Sequence, residues 1–374
     1  MNGPGSSSVA PAAADAAHVA NESLAARLDR HTASSALVQR QNGKLRCLAC
    51  AHRCLLAEGR RGICKVRFNA AGQLRVPFGY VAGVASDPIE KKPFFHVLPG
   101  SAALTFGMLG CNLHCAYCQN WISSQTLRDA ASGGPIQPAT AAQLVAAARR
   151  AGAASVVSSY NEPLITAEWA GAVFQEAASR GLICGIVSNG HATPEVIEFL
   201  RPWLRCVKVD LKTFDECRYR ALGGRRAAVL DTIRLVHARG LWLEVLTLVV
   251  PGWNDSQEEL RDIARFVASV SPDIPWHVTA FHPEYQMTQP RPTTAADLVR
   301  AAEIGAAEGL NFVYAGNLPG RVGRWEDTRC PGCGRTLVER VGYFIRRNEV
   351  TAGGQCPGCG RRIPGIWAVG QPSE

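Results

Sequence analysis

Cys111, Cys115 and Cys118 stand in the segment Gly110-Cys111-Asn112-Leu113-His114-Cys115-Ala116-Tyr117-Cys118-Gln119-Asn120, directly after the apolar run 102–109. Three thiolates spaced C-x3-C-x2-C on one short loop can ligate three irons of a cubane [4Fe-4S] cluster, for which thiolate is the usual ligand. With no fourth cysteine beside them, one iron keeps an open position, the property that separates catalytic from structural metal sites. Zinc is the competing chemistry, but zinc sites usually pair C-x2-C knuckles, and no fourth ligand lies near this loop. Cysteine also packs as a small buried hydrophobe. The spacing after a strand fits a cluster better.

Two further sets flank this loop. Cys47, Cys50, Cys54 and Cys64 supply four thiolates within eighteen residues. They suit zinc or a second [4Fe-4S] cluster, since both accept four thiolates. Cys330-Pro-Gly-Cys333 and Cys356-Pro-Gly-Cys359, each followed by glycine, form a zinc-ribbon pattern in which two tight turns donate two thiolates each. Arg346 and Arg347 between the knuckles raise a nucleic-acid-binding ribbon. The aromatic interleaving of single-strand binders is sparse, so a structural cap is expected. Cys184, Cys206 and Cys217 lack metal-like spacing and are expected in the core.

The elements that must position these residues form a repeating pattern. Short β-rich runs recur at 104–108, 155–159, 183–187, 206–210, 243–249, 277–280 and 312–314. Helical stretches lie between them, and Thr140-x-x-Gln143, Ser256-x-x-Glu259 and Thr294-x-x-Asp297 read as capping boxes at helix starts. Alternating strands and helices predict parallel βα units. The fold class expected is α/β: a partial or complete parallel (β/α) barrel with small cysteine-rich metal-binding modules at both ends. The expected divisions are a disordered or partly helical leader at 1–41, a cysteine-rich module and linker at 42–100, the barrel at 101–320 and the ribbon at 321–374. Candidate polar residues fall at strand ends, where such barrels place their chemistry. They are Glu162 in Tyr160-Asn161-Glu162-Pro163, Ser188 and Asn189 before Gly190, Asp210 and Lys212, and His282 in Phe281-His282-Pro283. Asp210 and Lys212 share a face, because residues two apart on a strand do. As bland readings, Asn-Glu-Pro is also a common helix entry, Asn-Gly a common turn, and a strand-end histidine is often structural.

At 374 residues and 47% hydrophobic, the chain can bury one barrel-sized core plus small modules. Its fourteen cysteines fall in metal-like clusters, and no secretory h-region precedes them, which predicts a reducing cytoplasm. Asp15, Glu22 and Asp29 count against a transit peptide. No segment reaches the roughly 18 apolar residues of a membrane span. The formal charge of +9 suggests nucleic acid, but thiolate-bound metal centres at all three sets would lower it to about +4. A nucleic-acid partner is therefore not expected.

The Cys111–Cys118 loop, with Tyr117 at the aromatic position, resembles the C-x3-C-x-aromatic-C signature of the radical S-adenosylmethionine (SAM) superfamily. From about residue 47 to 365 the chain resembles the radical enzyme of the AmmeMemoRadiSam system, a relative of pyruvate formate-lyase (glycyl-radical) activating enzymes. The residues that carry this are the N-terminal cysteine set, Asp87-Pro88-Ile89-Glu90-Lys91-Lys92-Pro93, the cluster loop, Asp210-Leu211-Lys212, the segment 251–256, Tyr314-Ala315-Gly316-Asn317 and the terminal knuckles. Asn161 and Ser188 stand where threonine is common in the family, which keeps the hydrogen-bonding capacity.

The resemblance implies that the open iron binds the amino and carboxylate groups of SAM. Glu162 would meet the amino end, and Ser188 and Asn189 resemble a Thr-Asn-Gly strand end. Lys212 would meet the substrate carboxylate and Asp210 a monovalent cation, while residues 247–255 and His282 would lie near the adenosine. It further implies an electron donor such as flavodoxin or ferredoxin, a 5′-deoxyadenosyl radical that takes hydrogen from the substrate, and Memo-like and AMMECR-like partners. Activation of a partner protein is one expectation. Radical modification of a small molecule or RNA is a second, and a non-catalytic metal- or nucleic-acid-binding protein a third.

Overall fold

The computed structural model describes residues 22–369. Its centre is an eight-stranded sheet. We label its strands β1 (Gly83–Pro88), β2 (Ala102–Gly107), β3 (Ser155–Ser158), β4 (Ile183–Ser188), β5 (Leu204–Asp210), β6 (Trp242–Val249), β7 (Trp276–Ala280) and β8 (Val313–Gly316). Strands β2 to β8 run parallel in sequence order, and β1 pairs antiparallel with β2. β1 and β8 are the two edges, so the sheet is an open barrel rather than a closed one. Strands β3 and β7 are buried at every position, as parallel strands covered on both faces must be.

Helices α1 (Ala141–Arg150), α2 (Ala167–Ser179), α3 (Pro194–Leu200), α4 (Arg226–Ala238), α5 (Gln257–Val270) and α6 (Ala295–Ala307) occupy the crossovers. Reciprocal capping boxes start α1 and α6. At α5 only half of the expected box forms. Ser256 accepts from the Glu259 backbone, but the Glu259 carboxylate turns away to Thr213, the Phe214 amide and Arg218. A buried charge is better used against a guanidinium than on a single cap N–H.

Three expectations need correction. The stretch 22–41 is structured, because Leu28 and Leu37 are apolar anchors buried with Val76 and Tyr80. Leu24–Arg30 is a helix, Thr32–Ser34 pairs with Gln73–Pro77, and Val38–Gln41 pairs with Lys44–Cys47. The rest of the expected leader lies outside the described residues. The sheet also starts at Gly83, so part of the presumed linker is its first strand. Finally, Cys184 and Cys206 are buried, but Cys217 is exposed, since it sits on the outer face of the short helix Glu216–Ala221.

The remainder of the linker crosses the barrel floor. Glu244 on β6 accepts from the Phe95 and His96 amides at 3.0–3.1 Å, from Trp242 Nε1 at 3.0 Å and from His277 Nε2 at 2.6 Å. Lys208 stands 3.8 Å from the same carboxylate. A fully buried charge is tolerable only when paired and hydrogen-bonded in this way. Among the described residues no helix is long and apolar enough to cross a membrane.

Candidate active site

The cluster loop leaves the C-terminal end of β2 through a tight passage. A Cβ on Gly107 would lie 2.5 Å from the Ser159 carbonyl, and Gly110 has φ +99° with Val66 2.9 Å from any Cβ added there. Only glycine fits both places. Beyond them Cys115 is buried, while Cys111 and Cys118 are half-buried. Cys111 Sγ accepts from the Leu113 amide at 3.4 Å and from Asn189 Nδ2 at 3.7 Å. Cys118 Sγ lies 3.1 Å from Ser124 Oγ. Donors aimed at sulfur are what cluster-bound thiolates require. Burial, the largest cause, raises the Cys111 pKa well above the ordinary value and pushes Cys115 up to about 11, and the neighbouring thiols of the loop add to both shifts.

Cys115 and Cys118 open onto a cavity of about 420 Å3, within the size range of small-molecule sites; Tyr117, Asp210 and Lys212 line it too. Lys212 Nζ donates to Asp210 Oδ2 at 3.1 Å. Burial disfavours the ammonium, but Asp210, Cys115 and Tyr117 outweigh it and hold the Lys212 pKa well above the ordinary value. Tyr117 packs edge-on against Trp253 with ring centroids 5.3 Å apart, in an apolar wall with Val250 and Phe281.

Glu162, Ser188 and Asn189 come together at the ends of β3 and β4 beside Cys111, outside the cavity lining. Glu162 accepts from Ser188 Oγ at 2.7 Å, the Asn189 amide at 2.8 Å and the Leu164 amide at 3.0 Å. Burial pushes its pKa up to about 7 against those three donors. His282 is exposed, beside Gln119 at 3.1 Å and outside the cavity lining.

Several lining residues received no role from sequence. Lys92 is 3% exposed and donates to Asp87 at 3.0 Å and to the Tyr160 hydroxyl at 3.1 Å. Tyr160 has φ +72°, an uncommon conformation for a non-glycine residue, and this turn carries its ring over the Lys92 ammonium. Asn317 after β8 and Tyr343 in the C-terminal module complete the rim. The linker and Tyr-x-Gly-Asn motifs contain Lys92 and Asn317, so a signal existed, but not one that told a lining residue from a turn.

At the other end, Cys330 and Cys359 sulfurs lie 3.5 Å apart and Cys333 and Cys356 sulfurs 3.7 Å apart. All four fall within 4.8 Å of one another. A tetrahedral ion with 2.3 Å metal–sulfur bonds needs sulfur–sulfur edges of about 3.8 Å. The glycines after the knuckles, Gly334 and Gly360, have φ +75° and +72°, the left-handed turn that folds each loop back on itself.

An open α/β barrel whose mouth gathers cysteines beside a paired lysine and aspartate defines a barrel enzyme built around a thiolate-held cofactor. Residues 106–267 match the Radical SAM superfamily, and the chain is a radical SAM enzyme. An uncharacterized protein of Methanocaldococcus jannaschii is 34% identical over 301 residues, 80% of this chain and 88% of that protein. The isethionate sulfite-lyase activating enzyme of Oleidesulfovibrio alaskensis is 28% identical over 128 residues, covering 33% of this chain and 41% of that enzyme. Among solved structures, a domain of a pyruvate-formate lyase-activating enzyme from Bacteroides vulgatus aligns with 44% of this chain and 99% of its own, at 18% identity and a TM-score of 0.39. Membership of the superfamily implies a [4Fe-4S] cluster and SAM.

Proposed function

We propose that Cys111, Cys115 and Cys118 hold the cluster and that the adjoining cavity binds SAM and the substrate's reacting group. The observation that carries this is the shared wall: two of the three thiols, the buried Tyr117 and the Asp210–Lys212 pair face one space. When bound, the cluster supplies the electron that splits SAM into methionine and a 5′-deoxyadenosyl radical able to abstract hydrogen. The chain's own part is positioning and exclusion. Lys212, kept charged by Asp210, offers an ammonium to a carboxylate. Glu162 ties the ends of β3 and β4 behind Cys111 and sets the loop's depth. Tyr117, Trp253 and Phe281 keep water from the reacting atoms. The Cys330–Cys359 set holds zinc as a structural closure.

The substrate we favour is another protein, reached at the rim by the C-terminal hairpin. Tyr343 lines the cavity, and its neighbour Phe344 is 76% exposed, an apolar group suited to a protein surface. One relative is by name an activating enzyme of a lyase. Memo-like and AMMECR-like proteins are the candidate partners, a ferredoxin or flavodoxin the donor, and a reducing cytoplasm the compartment. The test is an anaerobic preparation, reconstituted with iron and sulfide and reduced with SAM present. 5′-Deoxyadenosine should form and should disappear in Cys115→Ala. An undiminished yield in that variant would sink the assignment.

A further inference from the structure

The four thiols of the N-terminal module are free, and three of them are buried. Cys47 is their hub: it lies close enough to Cys50, Cys54 and Cys64 to interact electrostatically with each, and its amide donates to the Cys54 carbonyl at 2.9 Å. Donors already point at the sulfurs. Arg67 Nη1 lies 3.4 Å from Cys47 Sγ, and the Ile63 amide 3.4 Å from Cys54 Sγ. Yet the set is not drawn together to the size of a zinc site. Among the described residues only the C-terminal quartet has three or more ligand atoms within 4.8 Å of one another. A single zinc would require edges of about 3.8 Å here too. The Cys111–Cys118 triad shares the wider spacing, as thiolates on separate irons of a cubane must.

The module also sits directly against the cluster loop, and one side chain joins the two thiol sets. Asn112 follows Cys111 and is 0% exposed. Its Oδ1 accepts from Asn189 Nδ2 at 2.7 Å and lies 3.8 Å from Cys111 Sγ. Its Nδ2 is buried with no hydrogen-bond partner among the described residues, and the side chain lies near enough to the Cys50 thiol to act on it. A buried donor without a full partner calls for an explanation, and a cluster-bound Cys50 thiolate supplies one. Arg128 clamps the same junction, bonding the carbonyls of Ile63 and Leu113.

We propose that Cys47, Cys50, Cys54 and Cys64 hold a second [4Fe-4S] cluster, coupled through Asn112 to the centre at Cys111, Cys115 and Cys118. Its role as an entry port for electrons rests on the function proposed above; the identity of the metal does not. One electron leaves a low-potential carrier protein of the ferredoxin or flavodoxin class, reduces the second cluster from the 2+ to the 1+ state, and moves on to the first. The second cluster returns to 2+, and the net change is one carrier oxidised per electron delivered.

The full-length Cys111→Ala/Cys115→Ala/Cys118→Ala variant, reconstituted anaerobically, tests the metal. Expected are about four irons and four sulfides per chain, one zinc, and a reduced-state paramagnetic signal indifferent to SAM. No bound iron together with two zincs overturns the proposal. If that variant does not fold, the wild-type count decides: about eight irons support it, and about four with two zincs overturn it. Four irons in both proteins would keep the second cluster while removing the function assigned to the first. In Asn112→Ala both clusters should shift in reduction potential; a shift confined to one would break the proposed link.

Discussion

Lys212 shows how a single side chain can be held ready for a negatively charged ligand. Its ammonium lies 3.1 Å from Asp210, and the carboxylate, the Cys115 thiol and Tyr117 together overcome the burial that would otherwise discharge it. A hydrogen bond to a charged group contributes about 1.5–3 kcal/mol. Lys212→Met should therefore cost about ten- to hundredfold in kcat/KM for the carboxylate-bearing substrate, with iron content unchanged and part of the loss recovered in Lys212→Arg. Steady-state assay of 5′-deoxyadenosine checks this, and an unaltered kcat/KM would remove Lys212 from the binding site. The pair was legible because D-x-K ends a strand and period two places both residues on one face. Glu162 was legible as an important carboxylate but not as one already taken by three donors, two of them backbone amides. Sequence shows which groups can ionise, not which hydrogen bonds have used them.

Among the elements, the parallel strands were readable because alternating βα units carry both apolar runs and caps. The segment 83–100 was not, since its charges and prolines resemble a solvated connector. In the fold it supplies β1 and then lies across the floor of the barrel, where Glu244 gathers it. This buried network makes the joint sensitive to acid. Burial, the largest cause for each, lowers His96 to about 4, His277 to about 3 and Lys208 to about 7. For the histidines the folded pKa lies below the unfolded value of about 6.5, so the unfolded chain binds more protons between those limits. Stability from these groups is present above pH 6.5 and is lost as pH falls toward 4, by up to about 1.4 kcal/mol per pH unit for each histidine. Lys208 acts in the same direction at higher pH, and the depressed Glu244 at lower pH. Urea midpoints should fall steadily from pH 7 to pH 5. A flat profile, or a rise, would mean that the linker is not held as a charged and hydrogen-bonded unit.

For the whole molecule the question is whether the C-terminal module is an appendage or part of the barrel. Its knuckle pattern suggested a zinc ribbon serving as a structural cap, but sequence had no means of showing its contacts. The described residues show a continuous joint. Arg340 Nη2 donates to the Phe95 carbonyl at 2.8 Å and its guanidinium lies 4.4 Å over that ring. The Ile366 amide donates to the His96 carbonyl at 2.7 Å, and the Ile366 carbonyl accepts from Leu98 at 2.7 Å. His96 in turn bridges the Pro364 carbonyl and the Tyr314 hydroxyl of β8, each at 2.6 Å. The module thus packs on the same linker that Glu244 holds, and its Tyr343 borders the cavity. With zinc in the Cys330–Cys359 set, as proposed, loss of the ion should be felt through the whole structure, because a structural zinc contributes directly to folding. Cys356→Ser should release one zinc per chain and lower Tm by roughly 5 °C or more, at about 2–4 °C per kcal/mol lost for a domain of 150–250 residues. Unfolding should remain one cooperative transition followed alike by far-ultraviolet circular dichroism and tryptophan fluorescence. Two separated transitions, with the upper one at the wild-type temperature, would show instead that the ribbon folds on its own and only leans on the barrel.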